Sequence, residues 1–200
     1  MTSTPSPAPH SSSEADRLNE QVNQLYKAGK YSEAIPIATR VLELRKKALG
    51  PDHPNTAESL NNLGALYREM GDYAKAEPLY ERALKIREKA LGPDHPNTGA
   101  SLNNLAELYR SMGDYAKAKP LFQRALKIRE KALGPDHPNT ATSLNNLAAV
   151  YHSMGDYAKA EPLYERALKI REKALGPDHP NTAASLDNLA LLYRLMGDYA

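Results

Sequence analysis

Four identical loops place a histidine beside an aspartate, two side chains that proteins use for metal binding and for acid–base catalysis. The pairs are Asp52/His53, Asp94/His95, Asp136/His137 and Asp178/His179. Two packed helices, each about 8–10 Å across, would separate successive copies, whereas the ligands of one zinc ion lie about 2.0–2.1 Å from it. The aspartate in each loop suits a helix cap. We therefore predict no enzyme, no catalytic residue, no metal site and no cofactor.

Paired asparagines are the second polar feature that could do chemistry. The pairs are Asn61/Asn62, Asn103/Asn104, Asn145/Asn146 and, with one change, Asp187/Asn188. Asparagine is unfavourable inside a helix because its side chain competes for backbone hydrogen bonds, so two per helix call for a reason. An amide carries donors and an acceptor, and a row of amides suits the backbone of an extended peptide. The alternative is structural: the second asparagine bonds to a neighbouring helix or loop.

The elements that carry these residues repeat every 42 positions. The string Ala-Leu-Gly-Pro-Asp-His-Pro-Asn-Thr begins at positions 48, 90, 132 and 174. Three full units follow at 51–92, 93–134 and 135–176, and 177–200 is a partial unit that contains one helix. Residues 14–50 fit the same frame loosely as a divergent opening repeat, and residues 1–13 have no apolar periodicity and predict a flexible tail.

Each unit predicts two helices. Apolar residues at 3.6-type spacing place helix A at about 54–70, after a start at which Asp52 is expected to be the cap. Gly71 and Asp72 break the chain, and helix B then runs to the next glycine. Pro78 lies inside helix B and predicts a local bend. The sequence therefore predicts an all-α protein of about nine helices, in antiparallel pairs that bury one another's apolar faces.

Composition excludes several classes of function. The chain has 26 basic and 24 acidic residues, a formal net charge of +2, and no cysteine. This balance predicts no capture of nucleic acid and no membrane partner, and the missing thiols exclude disulfides and cysteine nucleophiles. We expect a cytoplasmic protein.

The repeat resembles a known family. Leu60, Leu63, Gly64, Tyr67 and Gly71, followed by Tyr73, Ala76, Tyr80 and Ala83, are similar to the tetratricopeptide repeat signature. The 42-residue length, with Leu-Asn-Asn-Leu in helix A, resembles the repeats of kinesin light chains and their bacterial relatives. The resemblance implies a right-handed superhelical solenoid whose concave groove is lined by helices A, and a scaffold that binds an extended peptide or partner segment there.

The resemblance also implies the residues of that groove. The units differ mainly on one face of helix A, which the family uses for ligands, and the charges on this face nearly cancel. The predicted peptide-binding residues are Asn61, Asn62, Ala65, Arg68, Asn103, Asn104, Glu107, Arg110, Asn145, Asn146, His152, Asp187, Asn188 and Arg194.

Two alternatives remain open at this stage. Leu191 and Leu195 either hold an apolar anchor of the ligand or are exposed beside an unfinished repeat. The chain is expected to be a fragment of a longer array, although capping by a second copy would also cover its last helix. The second class of function is accordingly a structural solenoid, which self-associates end to end or serves as a spacer or sensor array in a longer protein.

Overall fold

The computed structural model describes residues 9–197, with side chains from residue 13 onward. Within these residues the chain forms helices joined by short turns, and no strand is present. The helices are α1 (Pro9–Lys27), α2 (Tyr31–Leu49), α3 (Pro54–Glu69), α4 (Tyr73–Leu91), α5 (Pro96–Ser111), α6 (Tyr115–Leu133), α7 (Pro138–Ser153), α8 (Tyr157–Leu175) and α9 (Pro180–Met196). The all-α prediction with nine helices is confirmed over the described part of the chain.

Two compact units divide the chain, 1–93 and 94–200. In the first unit α1 packs on α2, α2 on α3 and α3 on α4; in the second unit the same consecutive packing runs from α5 to α9. Odd-numbered helices are the predicted helices A, and even-numbered helices are the predicted helices B. Each B helix continues through an internal proline near its start, at Pro36, Pro78, Pro120 and Pro162.

The core of each unit consists of small and branched apolar residues where helices A and B meet. In the first unit Leu60, Leu63 and Leu66 of α3 pack with Ala38 and Leu42 of α2. In the second unit, Ala148 of α7 packs with Tyr164 of α8 and Leu192 of α9. One helix pair cannot bury its apolar faces alone, so the consecutive packing supplies most of the stability.

A threonine fixes three of the turns from helix B to helix A. Thr56 Oγ1 donates a hydrogen bond of 2.8 Å to the carbonyl oxygen of Gly50, and Thr140 and Thr182 make the same bond to Gly134 and Gly176. Gly50 ends α2 with a φ of 97°, a backbone angle that residues with a side chain rarely adopt. The turn is thus set by a glycine on one side and a hydroxyl on the other.

Two sequence predictions need correction here. The backbone is already helical from Pro9, so residues 9–13 do not belong to a tail; proline is well tolerated in the first turn of a helix. The remainder of the predicted tail, 1–8, lies outside the described residues. The expected cap of α3, Asp52, is also wrong, because the N-cap residue is His53.

Candidate functional site

Histidine caps the start of helix A in the repeats. The Nδ1 atom of His53 accepts a hydrogen bond of 3.1 Å from the backbone N–H of Asn55. His95, His137 and His179 accept the same bond from the backbone N–H of the asparagine two residues later in the chain. The neighbouring aspartates have other partners: Asp52 pairs with Arg82 and Asp94 with Lys131. Among the described residues, no three His, Cys, Asp or Glu side chains group as a metal site would require.

At three junctions an arginine from helix B fixes the helix A that follows. Arg45, Arg129 and Arg171 donate from Nη1 to the backbone carbonyls of Asn55, Asn139 and Asn181, over 3.0–3.1 Å. The same atoms donate to Ser59, Ser143 and Ser185 over 2.7–3.2 Å. Arg171 is 7% exposed, and this burial lowers its pKa from the usual value for arginine. These contacts set the register of α3, α7 and α9 against the B helix that precedes each of them.

Sequence reasoning missed this arginine contact. The signal was present, because an arginine recurs at positions 45, 87, 129 and 171, next to a buried isoleucine or leucine each time. Its partners lie 10 and 14 residues later, on another helix. Helical periodicity cannot reveal a partner on another helix.

The paired asparagines form a ladder between consecutive A helices. Asn62 Nδ2 donates to Asn19 Oδ1 over 3.1 Å in the first unit. In the second unit Asn146 donates to Asn103 over 3.2 Å, and Asn188 donates to Asn145 over 2.9 Å. The second asparagine of a pair therefore bonds to a neighbouring helix, the structural alternative. Asn19 lies 42 residues before Asn61, and only the divergence of the first repeat hid it.

We call the surface that carries this ladder the helix-A face: it lies on α1 and α3 in the first unit and on α5, α7 and α9 in the second. Asn103 and Asn145 are half-buried on it, and their described hydrogen bonds use Oδ1. Their Nδ2 hydrogens are therefore not consumed by the ladder. Asn61, by contrast, is only 4% exposed, so it is enclosed rather than displayed.

Charged residues on the helix-A face are mostly neutralised by neighbours. Arg110 donates from Nε and Nη2 to Glu107 Oε2, over 3.0 and 2.7 Å. Arg68 donates to Glu69 over 2.5 Å, and this hydrogen bond lowers the pKa of the Glu69 carboxyl. Paired charges attract a ligand weakly, since each is screened by its partner.

The remaining predicted residues are separate from these pairs. Asn62 and Ala65 line a depression with Val22, Asn23 and Tyr26 of α1. The His152 ring lies against that of Tyr157, with centroids 5.7 Å apart. Asn104 is half-buried on α5, and Asp187 and Arg194 are exposed on α9. Val22, Asn23 and Tyr26 were not predicted, because the opening repeat departs from the common sequence.

Comparisons with known proteins agree on one family. The family model described as tetratricopeptide repeat matches residues 17–89, 62–131, 103–173 and 142–200. No curated protein matches the sequence. No described helix has the length and apolar character needed to cross a membrane.

Solved structures show the same fold. A crystal structure from Podosopora anserina, described as a kinesin light chain with nearly identical TPR-like repeats, has a TM-score of 0.81 and 29% identity. The match covers 95% of this chain and 90% of that one. BtubC from P. vanneervenii has a TM-score of 0.79 at 23% identity, covering 94% of this chain and 82% of that one. The predicted fold class, a solenoid of antiparallel helix pairs, is thereby confirmed.

Proposed function

The chain belongs to the tetratricopeptide repeat family, and on that premise we propose that its helix-A face binds an extended segment of a partner protein. Repeats of this kind generally serve protein–protein interaction or scaffolding. The observation that carries the proposal is the hydrogen bonding of the Asn103 and Asn145 side chains. The ladder holds their Oδ1 atoms, which orients each amide, while the Nδ2 hydrogens are left to donate to a ligand.

The spacing of these donors suits an extended backbone. A direct asparagine–asparagine bond joins consecutive A helices, so their donors are separated by about one helix diameter, roughly 10 Å. An extended chain advances about 3.3 Å per residue, so one helix meets about every third residue. Amide hydrogens at that interval would donate to every third carbonyl of the ligand, independently of its side chains.

The ligand we propose is close to neutral where it contacts α5. The Arg110–Glu107 pair consumes the charges there, so ligand charge is a weak selector and salt should have little effect on affinity. The other predicted contacts (Asn62, Ala65, Arg68, Asn104, Asn146, His152, Asn188 and Arg194) stay predictions around this centre. The cytoplasmic location and the absence of enzymatic activity also stay predictions.

The test separates the ladder from the ligand. A peptide library displayed on phage is selected on the 200-residue chain, and the recovered peptides are measured on variants by fluorescence anisotropy. Asn103→Asp with Asn145→Asp keeps both ladder acceptors but removes both amide donors, so affinity should fall at least about tenfold with stability nearly unchanged. Asn103→Ala with Asn145→Ala should also lose binding, with a further loss of stability.

Asn139→Ala is the matched control. Its side chain is exposed at the start of α7 and has no described bond; only its backbone N–H and carbonyl do. Peptide affinity should not change in this variant. Unaltered binding to both double variants would show that the asparagines of the helix-A face do not hold the ligand.

Self-association is a second candidate, favoured by one observation. Helix α9 exposes Leu186, Leu191 and Leu195, at 46%, 39% and 47% of their surface. Isolated exposed leucines are common, whereas three on one helix support the proposal of a contact surface there.

A further inference from the structure

A small cavity lies between α5 and α6. Its volume is about 140 Å³, and its lining includes Gly99 of α5 and Ala125, Ile128, Arg129 and Leu133 of α6. Gly99, Ala125 and Ile128 are buried and form the floor, whereas Leu133 is 44% exposed and lies at the rim. The cavity therefore has apolar walls, one cationic side chain and a position at the protein surface.

Glycine at position 99 makes room for this cavity. Ala15 occupies the same repeat position in α1, where the corresponding cavity measures only about 40 Å³. A Cβ atom on Gly99 would be 3.0 Å from Cγ2 of Ile128, so a methyl group would crowd the floor. Ala57 and Ala141 take this position in α3 and α7, and both are fully buried. The wider cavity thus depends on one substitution in one repeat.

One nitrogen of Arg129 holds its guanidinium in place. Nη1 donates to the carbonyl oxygen of Asn139 over 3.1 Å and to Oγ of Ser143 over 2.8 Å. Among residues 13–197, whose side chains are described, Nε and Nη2 have no hydrogen-bond or ion-pair partner. The group is half-buried, and this burial lowers the pKa of Arg129. Two donors of an oriented cation are therefore left for another acceptor.

Two other repeats supply that acceptor from helix A. Arg45 Nη2 lies 3.2 Å from Oδ1 of Asp16, and Arg171 Nη2 lies 3.5 Å from Oγ1 of Thr142. Ala100 occupies the same repeat position in α5, and its methyl group cannot accept a hydrogen bond. The repeat that has the wider cavity is therefore also the one that lacks its own partner for the arginine.

We propose that this cavity binds a carboxylate carried by an apolar group about the size of benzene. The planar fork of an arginine matches the two oxygens of a carboxylate, and Nε with Nη2 forms such a fork on Arg129. An apolar cavity of about 150 Å³ accommodates benzene, and this one is of similar size. The site is separate from Asn103 and Asn145, so it goes beyond the proposed peptide binding.

Two-dimensional NMR of the 200-residue chain, titrated with benzoate, tests the proposal. The Nε–H signal of Arg129 and the methyl signals of Ile128 should shift, with a Kd of about 1–10 mM. Benzamide has the same shape without the charge and should bind at least about tenfold more weakly. A free acid and the C-terminus of a protein both carry this chemistry. Acetyl-glycylglycylvaline represents the second source, and the tighter binder identifies the source.

Two substitutions should close the site while Arg129 stays in place. Ala100→Asp supplies the carboxylate that Asp16 provides in the first repeat, and Gly99→Ala restores the residue of the other repeats. Each should weaken benzoate binding at least about tenfold, with no fall in the melting temperature. Ala184→Asp is the matched control, because it adds the same charge at the same repeat position of α9. It should leave the Kd unchanged.

Three results would overturn the proposal. The first is no shift at Arg129 and Ile128 with either carboxylate probe up to about 20 mM, well above the expected Kd. The second is equal affinity for benzoate and benzamide. The third is undiminished binding of benzoate to Ala100→Asp or Gly99→Ala. Peptides selected for the helix-A face should bind both variants normally, so the two proposals are judged separately.

Discussion

At the scale of single residues, the arginines at the inner edge of helix B have the clearest energetic role. Arg171 holds the first turns of α9 through Asn181 and Ser185, while itself largely removed from water. Hydrogen bonds that involve a charged group contribute about 1.5–3 kcal/mol to stability, more than neutral ones. The buried guanidinium is therefore both costly to place and costly to remove.

We predict that Arg171→Met lowers the free energy of unfolding by about 1.5–3 kcal/mol, because Ser185 and the carbonyl of Asn181 lose their donor. Urea unfolding followed by circular dichroism measures this change, and amide hydrogen exchange should show the loss concentrated in α9. Lys169→Met is the control, since Lys169 is exposed on the same helix and has no described bond. Equal effects of the two substitutions would contradict the role assigned to Arg171.

The histidines show a prediction that was right about the capping loop and wrong about the residue that caps the helix. A capping loop was predicted, and a capping loop is present, but the acceptor is the imidazole of His53 rather than the carboxylate of Asp52. Both residues are chemically able to accept the bond. The choice depends on which residue the preceding turn, fixed by Thr56 and Gly50, places directly before the helix.

At the scale of the helices, two glycines of the unit 51–92 differ in whether alanine can replace them. Gly64 lies inside α3, where a Cβ atom would be 3.1 Å from the ring of Tyr80. In the third repeat, Ala148 occupies the same position and packs with Tyr164. The ring of the homologous tyrosine thus accommodates a methyl group. Gly71, in the turn after α3, has a φ of 76° that no such change accommodates.

We therefore predict that Gly64→Ala stabilises the protein by about 0.5–1 kcal/mol, through the higher helix propensity of alanine. Gly71→Ala should destabilise it by about 1 kcal/mol, because a side chain is strained at positive φ. Thermal unfolding of the two variants side by side measures both signs. A loss of stability in Gly64→Ala would mean that Tyr80 is held more rigidly than Tyr164.

The helices themselves were largely predictable, and the contacts between them were not. Apolar spacing and the glycine turns placed α3 at about 54–70, against an observed Pro54–Glu69. The asparagine pairs were identified. The bond from Asn62 to Asn19, 43 residues earlier, nevertheless depends on the axial offset between α3 and α1. That axial offset is determined by packing between helices, which local sequence does not encode.

At the scale of the whole molecule, the first and the last described helices differ in polarity. Helix α1 exposes Gln21 and Gln24 where α3 buries Leu63 and Leu66, whereas α9 exposes Leu186 where the earlier A helices bury leucine. The glutamines keep this exposed face of α1 polar, which protects it from apolar association.

We predict that Gln21→Leu with Gln24→Leu removes this protection and produces association through α1. Light scattering against concentration should then show species larger than any that the wild-type chain forms. Glu20→Leu with Lys27→Leu adds the same number of leucines at other exposed positions of α1 and controls for general hydrophobicity. If both double variants associate alike, the position of the glutamines has no special importance.

The contacts between helices have one more consequence, for how such a chain changes length over evolutionary time. The arginine reaches 10 and 14 residues ahead, the threonine 6 residues back and the asparagine 43 residues back. Each partner is therefore defined by its offset and not by its place in the chain. Unequal recombination that gains or loses whole 42-residue copies would recreate every one of these bonds at the new junction, so copy number can vary without any compensating mutation.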